Sequence, residues 1–155
     1  MSDRMETARE GMAVQKVPGP TLWLGMAGLI PFFALAIAVS VNPTQLTQQA
    51  LVGYGAVILS FMGGCRWGFA AAGLGDGPNY RLLAISVAPA LYAWVAALLD
   101  FRFAVLALSA GFVALYAADW VLERERGAPA WWTRLRLPLS TGAAVSLAVA
   151  GAFSA

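Results

Sequence analysis

Residues 17–65 read VPGPTLWLGMAGLIPFFALAIAVSVNPTQLTQQALVGYGAVILSFMGGC, a run between Lys16 and Arg66 without one charged side chain. An apolar stretch of about 18 residues or more is long enough to cross a bilayer as a helix. This run is long enough to cross twice. Asn42-Pro43-Thr44 divides it, because Pro43 has no amide proton with which to continue a helix. Proline in the middle position also excludes this tripeptide as a glycosylation acceptor.

The same reading, carried along the chain, predicts an all-α polytopic membrane bundle. The five spans fall at about 21–41, 48–72, 81–99, 103–122 and 138–154. Residues 1–20, which end in Pro18-Gly19-Pro20, read as a flexible tail on the cytoplasmic side. Span one is too long for a signal-peptide core and is expected to be retained. Gly73 to Pro78 with Asp76, and Asp100-Phe101-Arg102, form short turns. Glu123 to Arg136 forms a charged loop. Pro138 suits the first turn of a helix and is taken as the start of span five.

Composition leads to the same class. The 155 residues suit one domain, and 60% are hydrophobic. Only 12% are charged, against about 25% in soluble domains, so the chain lacks the polar side chains to cover a water-exposed surface. A formal charge of +2, with no basic patch interleaved with aromatics, gives no reason to expect a nucleic-acid partner. There is no histidine, which removes His-ligated haem, His metal sites and a Ser-His triad. The single cysteine, Cys65, forms neither an internal disulfide nor a CxxC site. No catalytic residue, metal ligand or cofactor-binding motif is nominated, and no cofactor is expected. The expected partners are the lipid bilayer and either a larger membrane complex or further copies of the chain.

Lysine and arginine set the expected orientation. Arg4, Arg9, Lys16, Arg66, Arg81, Arg124, Arg126, Arg134 and Arg136 fall on one side of a five-span bundle, and Arg102 alone on the other. The N-terminus is therefore expected inside and the C-terminus outside. Trp23, Trp120, Trp131 and Trp132 fall near the interfaces, where an amphipathic ring is favoured. Residues 129–137 alternate tryptophan, arginine and leucine. They read either as a segment lying flat on the inner surface or as an ordinary positive loop.

Arg66, in Gly63-Gly64-Cys65-Arg66-Trp67-Gly68, lies inside span two near its inner end. It is either a snorkelling anchor or a holder of an anionic headgroup or ligand. Asp119, in Ala117-Ala118-Asp119-Trp120, lies at about the same depth in span four. The two are candidates for an intramembrane ion pair, structural or ligand-bearing. Ala56, Ser60, Gly64, Gly68 and Ala72 recur every four positions on span two, a stripe that admits a second helix closely. Arg66 falls on roughly the opposite face, so span two is expected to touch protein on both sides. Pro31 and Pro89 are mid-span and predict helix kinks, which either frame a cavity or are inert.

Several blocks carry a resemblance. These are Trp23-Leu24-Gly25 through Ile30-Pro31-Phe32, Tyr54 through Phe61 running into Gly63 through Gly68, Ser86-Val87-Ala88-Pro89 with Trp94, and Arg134 through Leu139. Together they resemble the bacterial membrane family of unknown function related to mitochondrial transmembrane protein sixty-nine. The resemblance implies a helical membrane protein of a bacterial inner membrane, or alternatively of the mitochondrial inner membrane. It supplies no activity and no catalytic residue.

Two functional expectations follow. One is an accessory or assembly component of an inner-membrane complex, favoured by the missing catalytic chemistry and the small-residue stripe. The other is a small carrier, channel or lipid-binding protein using Arg66 and Asp119.

Overall fold

The computed structural model describes residues 16–75 and 80–153, which form six helices. The expected tail before Lys16, the turn residues 76–79 and the last two residues lie outside the described residues. Helices α1 (Gly19–Ala27) and α2 (Leu29–Val41) together make the first span. The other four spans are single helices: α3 (Gln45–Ala71), α4 (Tyr80–Ala97), α5 (Phe101–Arg124) and α6 (Trp132–Phe153).

Local chemistry explains where these helices start and break. Thr44 caps α3 in a reciprocal box: its hydroxyl accepts from the Thr47 amide, and the Thr47 hydroxyl accepts from the Thr44 amide. Pro31 supplies no donor to the carbonyl four residues back, and the first span breaks just before it, at Gly28. The Gly28 amide is shared between the carbonyls of Leu24 and Gly25. Tyr54 Oη, on α3, donates to the Gly28 carbonyl at 2.8 Å. A neighbouring helix thus donates to a carbonyl at the break itself, the kind of support a broken helix needs in lipid. Helix α4, by contrast, runs through Pro89 unbroken.

The fifth helix differs from the expected start. Helix α6 begins at Trp132, six residues before Pro138, which sits inside it. The reason lies on α5. Glu123 Oε2 accepts from the Thr133 amide at 2.7 Å and from its hydroxyl at 2.6 Å. A carboxylate at a helix N-terminus satisfies orphan amides and the helix dipole together. Residues Trp132–Leu137 are therefore helical and are not a separate surface segment.

The helices α2, α3, α4, α5 and α6 close into a ring, each against the next, with α6 returning to α2. Helix α3 also meets α5 and α6 across the interior. Phe32, Leu51, Leu59, Leu108, Phe112 and Leu147 fill the centre, with Phe32 edge-on to both Tyr54 and Phe112. Outward faces are apolar as well: Trp23, Leu24, Ile30, Ile37, Phe61, Trp94, Phe103 and Val113 are all exposed. Burial is sparsest on α4, at 17% of its residues, and reaches only about half of the apolar stretch of α6. Apolar surface on this scale is unsuited to water and suited to lipid.

The small-residue stripe on α3 divides: Ala56 packs against the core and Ser60 is half-buried, whereas Gly64, Gly68 and Ala72 are exposed. A Cβ at Gly64 or Gly68 would meet nothing within 4 Å, and Ala72 is exposed. Close packing runs one position earlier, along buried Gly55, Leu59 and Gly63. A Cβ at Gly63 would stand 2.7 Å from the Ser86 carbonyl oxygen and 3.1 Å from the Pro89 ring. One residue turns the face by about 100° on a helix of 3.6 residues per turn, so a row and its neighbour look in different directions.

Candidate functional site

Three charged side chains from three spans meet near the end of the bundle where most of the described basic residues lie. Asp119 stands on α5 five residues before its last residue, and Arg66 stands on α3 five residues before its last. At 1.5 Å per residue both lie about 7–8 Å inside the helix ends. Arg66 Nη1 donates to Asp119 Oδ1 at 3.1 Å. Arg136, four residues into α6, donates through Nε to Asp119 Oδ2 at 2.9 Å. Each carboxylate oxygen thus takes one guanidinium, and α3, α5 and α6 are tied at one depth.

Burial within the cluster is uneven. Asp119 is fully buried and Arg136 nearly so, whereas the Arg66 side chain retains 11% exposure. Arginine keeps its proton throughout proteins, so two arginines on one aspartate carry at least one excess positive charge. Among the described residues Arg136 Nη2 has no hydrogen-bond partner, nor does the buried Ser140 hydroxyl one turn further on. The Trp132 indole N–H lies near the Asp119 carboxylate but falls short of hydrogen-bond geometry. Trp132 is wedged edge-on against Phe69 and shields the cluster from that side.

Arg136 borders a small cavity of about 110 Å³ on the side of α1 and α2, and Arg66 borders two larger spaces. An apolar crevice of about 350 Å³ runs between α3, α4 and α5 beneath it, lined by Leu59, Pro89, Tyr92, Gly111 and Ala114 among others. A chamber of about 650 Å³ opens above it, lined by Arg81, Leu82, Val121, Glu125 and Gly127 among others. Arg66, Ile85 and Ala118 border both, and so form the waist of one groove with a charged mouth and an apolar shaft. Pro89 offers no amide to the Ile85 carbonyl at this waist.

The rim holding Glu125 is built by the end of α5. Arg126 takes a left-handed φ of 58°. Its amide reaches the Glu123 carbonyl, and the Gly127 amide reaches back to the Leu122 carbonyl. This double closure is the Schellman ending of a helix. Gly127 packs tightly here: a Cβ would stand 2.6 Å from the Leu122 side chain, which would have to shift.

The structure brings the sequence candidates Arg66 and Asp119 into contact, and Pro89 lies beside them in the groove wall. Pro31 lies elsewhere, behind the Gly28 break, and the stripe residues Gly64, Gly68 and Ala72 face away. Arg136 was missed, counted as one more basic residue of a loop. The signal was present: Trp132, Leu135, Arg136 and Leu139 recur at helical spacing, and Trp132, Leu135 and Arg136 are all buried. Among the described residues no group of three or more His, Cys, Asp or Glu is placed to hold a metal ion.

Five apolar helices around a buried charge cluster define a multi-pass integral membrane protein. Residues 17–152 match the family model described as "Protein of unknown function (DUF3429)", and the chain belongs to that family. Transmembrane protein 69 of Xenopus tropicalis is 38% identical over 141 residues, covering 87% of this chain and 54% of that protein. Transmembrane protein 69 of Mus musculus is 33% identical over 138 residues, covering 85% and 55%. The chain thus spans about half the length of these curated relatives. No solved structure matches it.

Proposed function

We propose that this protein binds an amphiphile of the bilayer whose head carries an anionic group, with that group at Arg66 and one apolar chain in the crevice below. The observation that carries this reading is the groove itself: a charged chamber and an apolar crevice share Arg66 at their junction. Arg66 is also the exposed member of a cluster with excess positive charge. An anion there gains a charge-assisted hydrogen bond in a low-dielectric setting. The crevice excludes water from the chain. Neither contact requires a reaction, so the role is binding, presentation or carriage. The distribution of lysine and arginine supports an inner-facing basic end. The membrane is proposed to be a bacterial cytoplasmic membrane, or the inner membrane of mitochondria.

Native mass spectrometry of the protein released from its own membrane tests this reading. The intact protein is expected to retain a lipid-sized adduct. Ala114→Trp fills the crevice from α5 and should remove that adduct. Ala34→Trp, on the lipid-facing side of α2, should leave it. Equal retention by both variants would show ordinary annular lipid and end the proposal.

A second reading rests on a separate observation. Gly64 and Gly68 are open along the outer face of α3, where a helix of another chain has room to approach closely. This supports an accessory or assembly role in a larger membrane complex, or self-association. Gly64→Leu should then abolish a stoichiometric partner on gentle purification while leaving the lipid adduct in place.

A further inference from the structure

We infer, resting on the amphiphile reading, that the preferred ligand is a phospholipid whose headgroup joins a phosphate to a primary ammonium. The chamber above Arg66 is not uniformly basic. Arg66 and Arg81 line it together with Glu125. Arg81 is the second residue of α4, and Glu125 is the first after α5. Neither Arg81 nor Glu125 forms an ion pair with another described side chain. Both charges are therefore available to a ligand. Arg66 lies deepest, its guanidinium still free to donate from nitrogens beyond the one that holds Asp119.

This pattern discriminates among headgroups. A phosphate suits the two guanidiniums, which match its oxygens in geometry and charge. A second negative or merely hydroxylated group would then lie beside the Glu125 carboxylate, where it meets repulsion or no charge partner. A quaternary ammonium balances the carboxylate but has no proton to donate. A primary ammonium supplies opposite charge and three donors. The fixed α5 ending holds Glu125 at the chamber rim. Among the described residues, two positive side chains and one negative then face a zwitterionic head of one phosphate and one ammonium, and the positive charge left over favours a neighbouring anionic lipid.

The test is a competition read by native mass spectrometry. The purified, delipidated full chain is given equal amounts of phosphatidylethanolamine, phosphatidylglycerol and phosphatidylcholine with identical acyl chains. The wild type should retain the ethanolamine lipid over each of the others by about tenfold, the effect of one charge-assisted hydrogen bond. Glu125→Gln, at an exposed position, should keep its melting temperature, and its retention of the ethanolamine lipid should fall about tenfold to the level of the other two. Binding that favours the glycerol lipid, or shows no headgroup preference, overturns the assignment while leaving an amphiphile site standing. A preference that survives Glu125→Gln also overturns it. Failure to retain any lipid sinks the amphiphile reading itself.

Discussion

Asp119→Ala is expected to be the most damaging single change in the bundle. It leaves Arg66 and Arg136 facing each other without their shared carboxylate, and Arg136 is almost completely buried. Removing one partner of a buried pair typically costs about 3–5 kcal/mol, because a charge is left uncompensated. Here two are left. Three helices lose their common tie as well. Thermal unfolding in detergent, followed by circular dichroism, should show a much lower midpoint or no folded protein at all. Asp119→Asn should fall between this and the wild type, since an amide still accepts a hydrogen bond. A melting temperature unchanged in Asp119→Ala would mean that the cluster is solvated and not structural.

Gly63→Leu is expected to be the second large effect. The obstacle is the Ser86 backbone oxygen, 2.7 Å from where a Cβ would stand, with the Pro89 ring at 3.1 Å. Backbone cannot swing aside as a side chain does, so α3 and α4 must part. Overpacking a tight interface costs about 1–3 kcal/mol, and more where nothing yields. The groove wall would move with α4. Gly64→Leu, one residue on, meets nothing within 4 Å and should leave the midpoint of unfolding unchanged. The pair makes a sharp comparison by thermal melting in detergent: equal loss in both variants would mean that α3 is rotated from the orientation described.

The same pair shows what a sequence makes legible in a membrane bundle. Long charge-free runs identify the spans because lipid forbids unpaired charge and demands closed backbone hydrogen bonding. Arg66 and Asp119 were found by depth, since a charge placed inside a span by counting from its ends stands out against alanine and leucine. Rotation about the helix axis was harder to read. Helix α3 carries two rows of small residues, Gly55 with Gly63 and Gly64 with Gly68, and both faces of a lipid-solvated helix are apolar. Nothing in the residue types says which row looks inward.

Arg136 was lost for a different reason. Arginines near span ends normally sit in water, and Pro138 looked like a helix start. The helix instead begins at Trp132, pinned by Glu123 from the neighbouring span. The helical spacing of Trp132, Leu135, Arg136 and Leu139 points to this earlier start, but the Glu123–Thr133 contact that fixes it joins two helices and has no signature of its own. The groove was also invisible beforehand, because its walls come from three helices and its shape depends on their spacing.

The most direct test of lipid binding at the cluster is Arg66→Gln, measured in parallel for stability and for retained phospholipid. Arg136 and Asp119 remain as a one-to-one pair, so the bundle should stay folded, with a far smaller loss of melting temperature than Asp119→Ala. The excess positive charge at the groove waist is gone, and phospholipid retention in a native mass spectrometry titration should fall by about tenfold or more. A folded Arg66→Gln protein that holds phospholipid as tightly as the wild type would contradict the proposal that Arg66 is the anchor of the site.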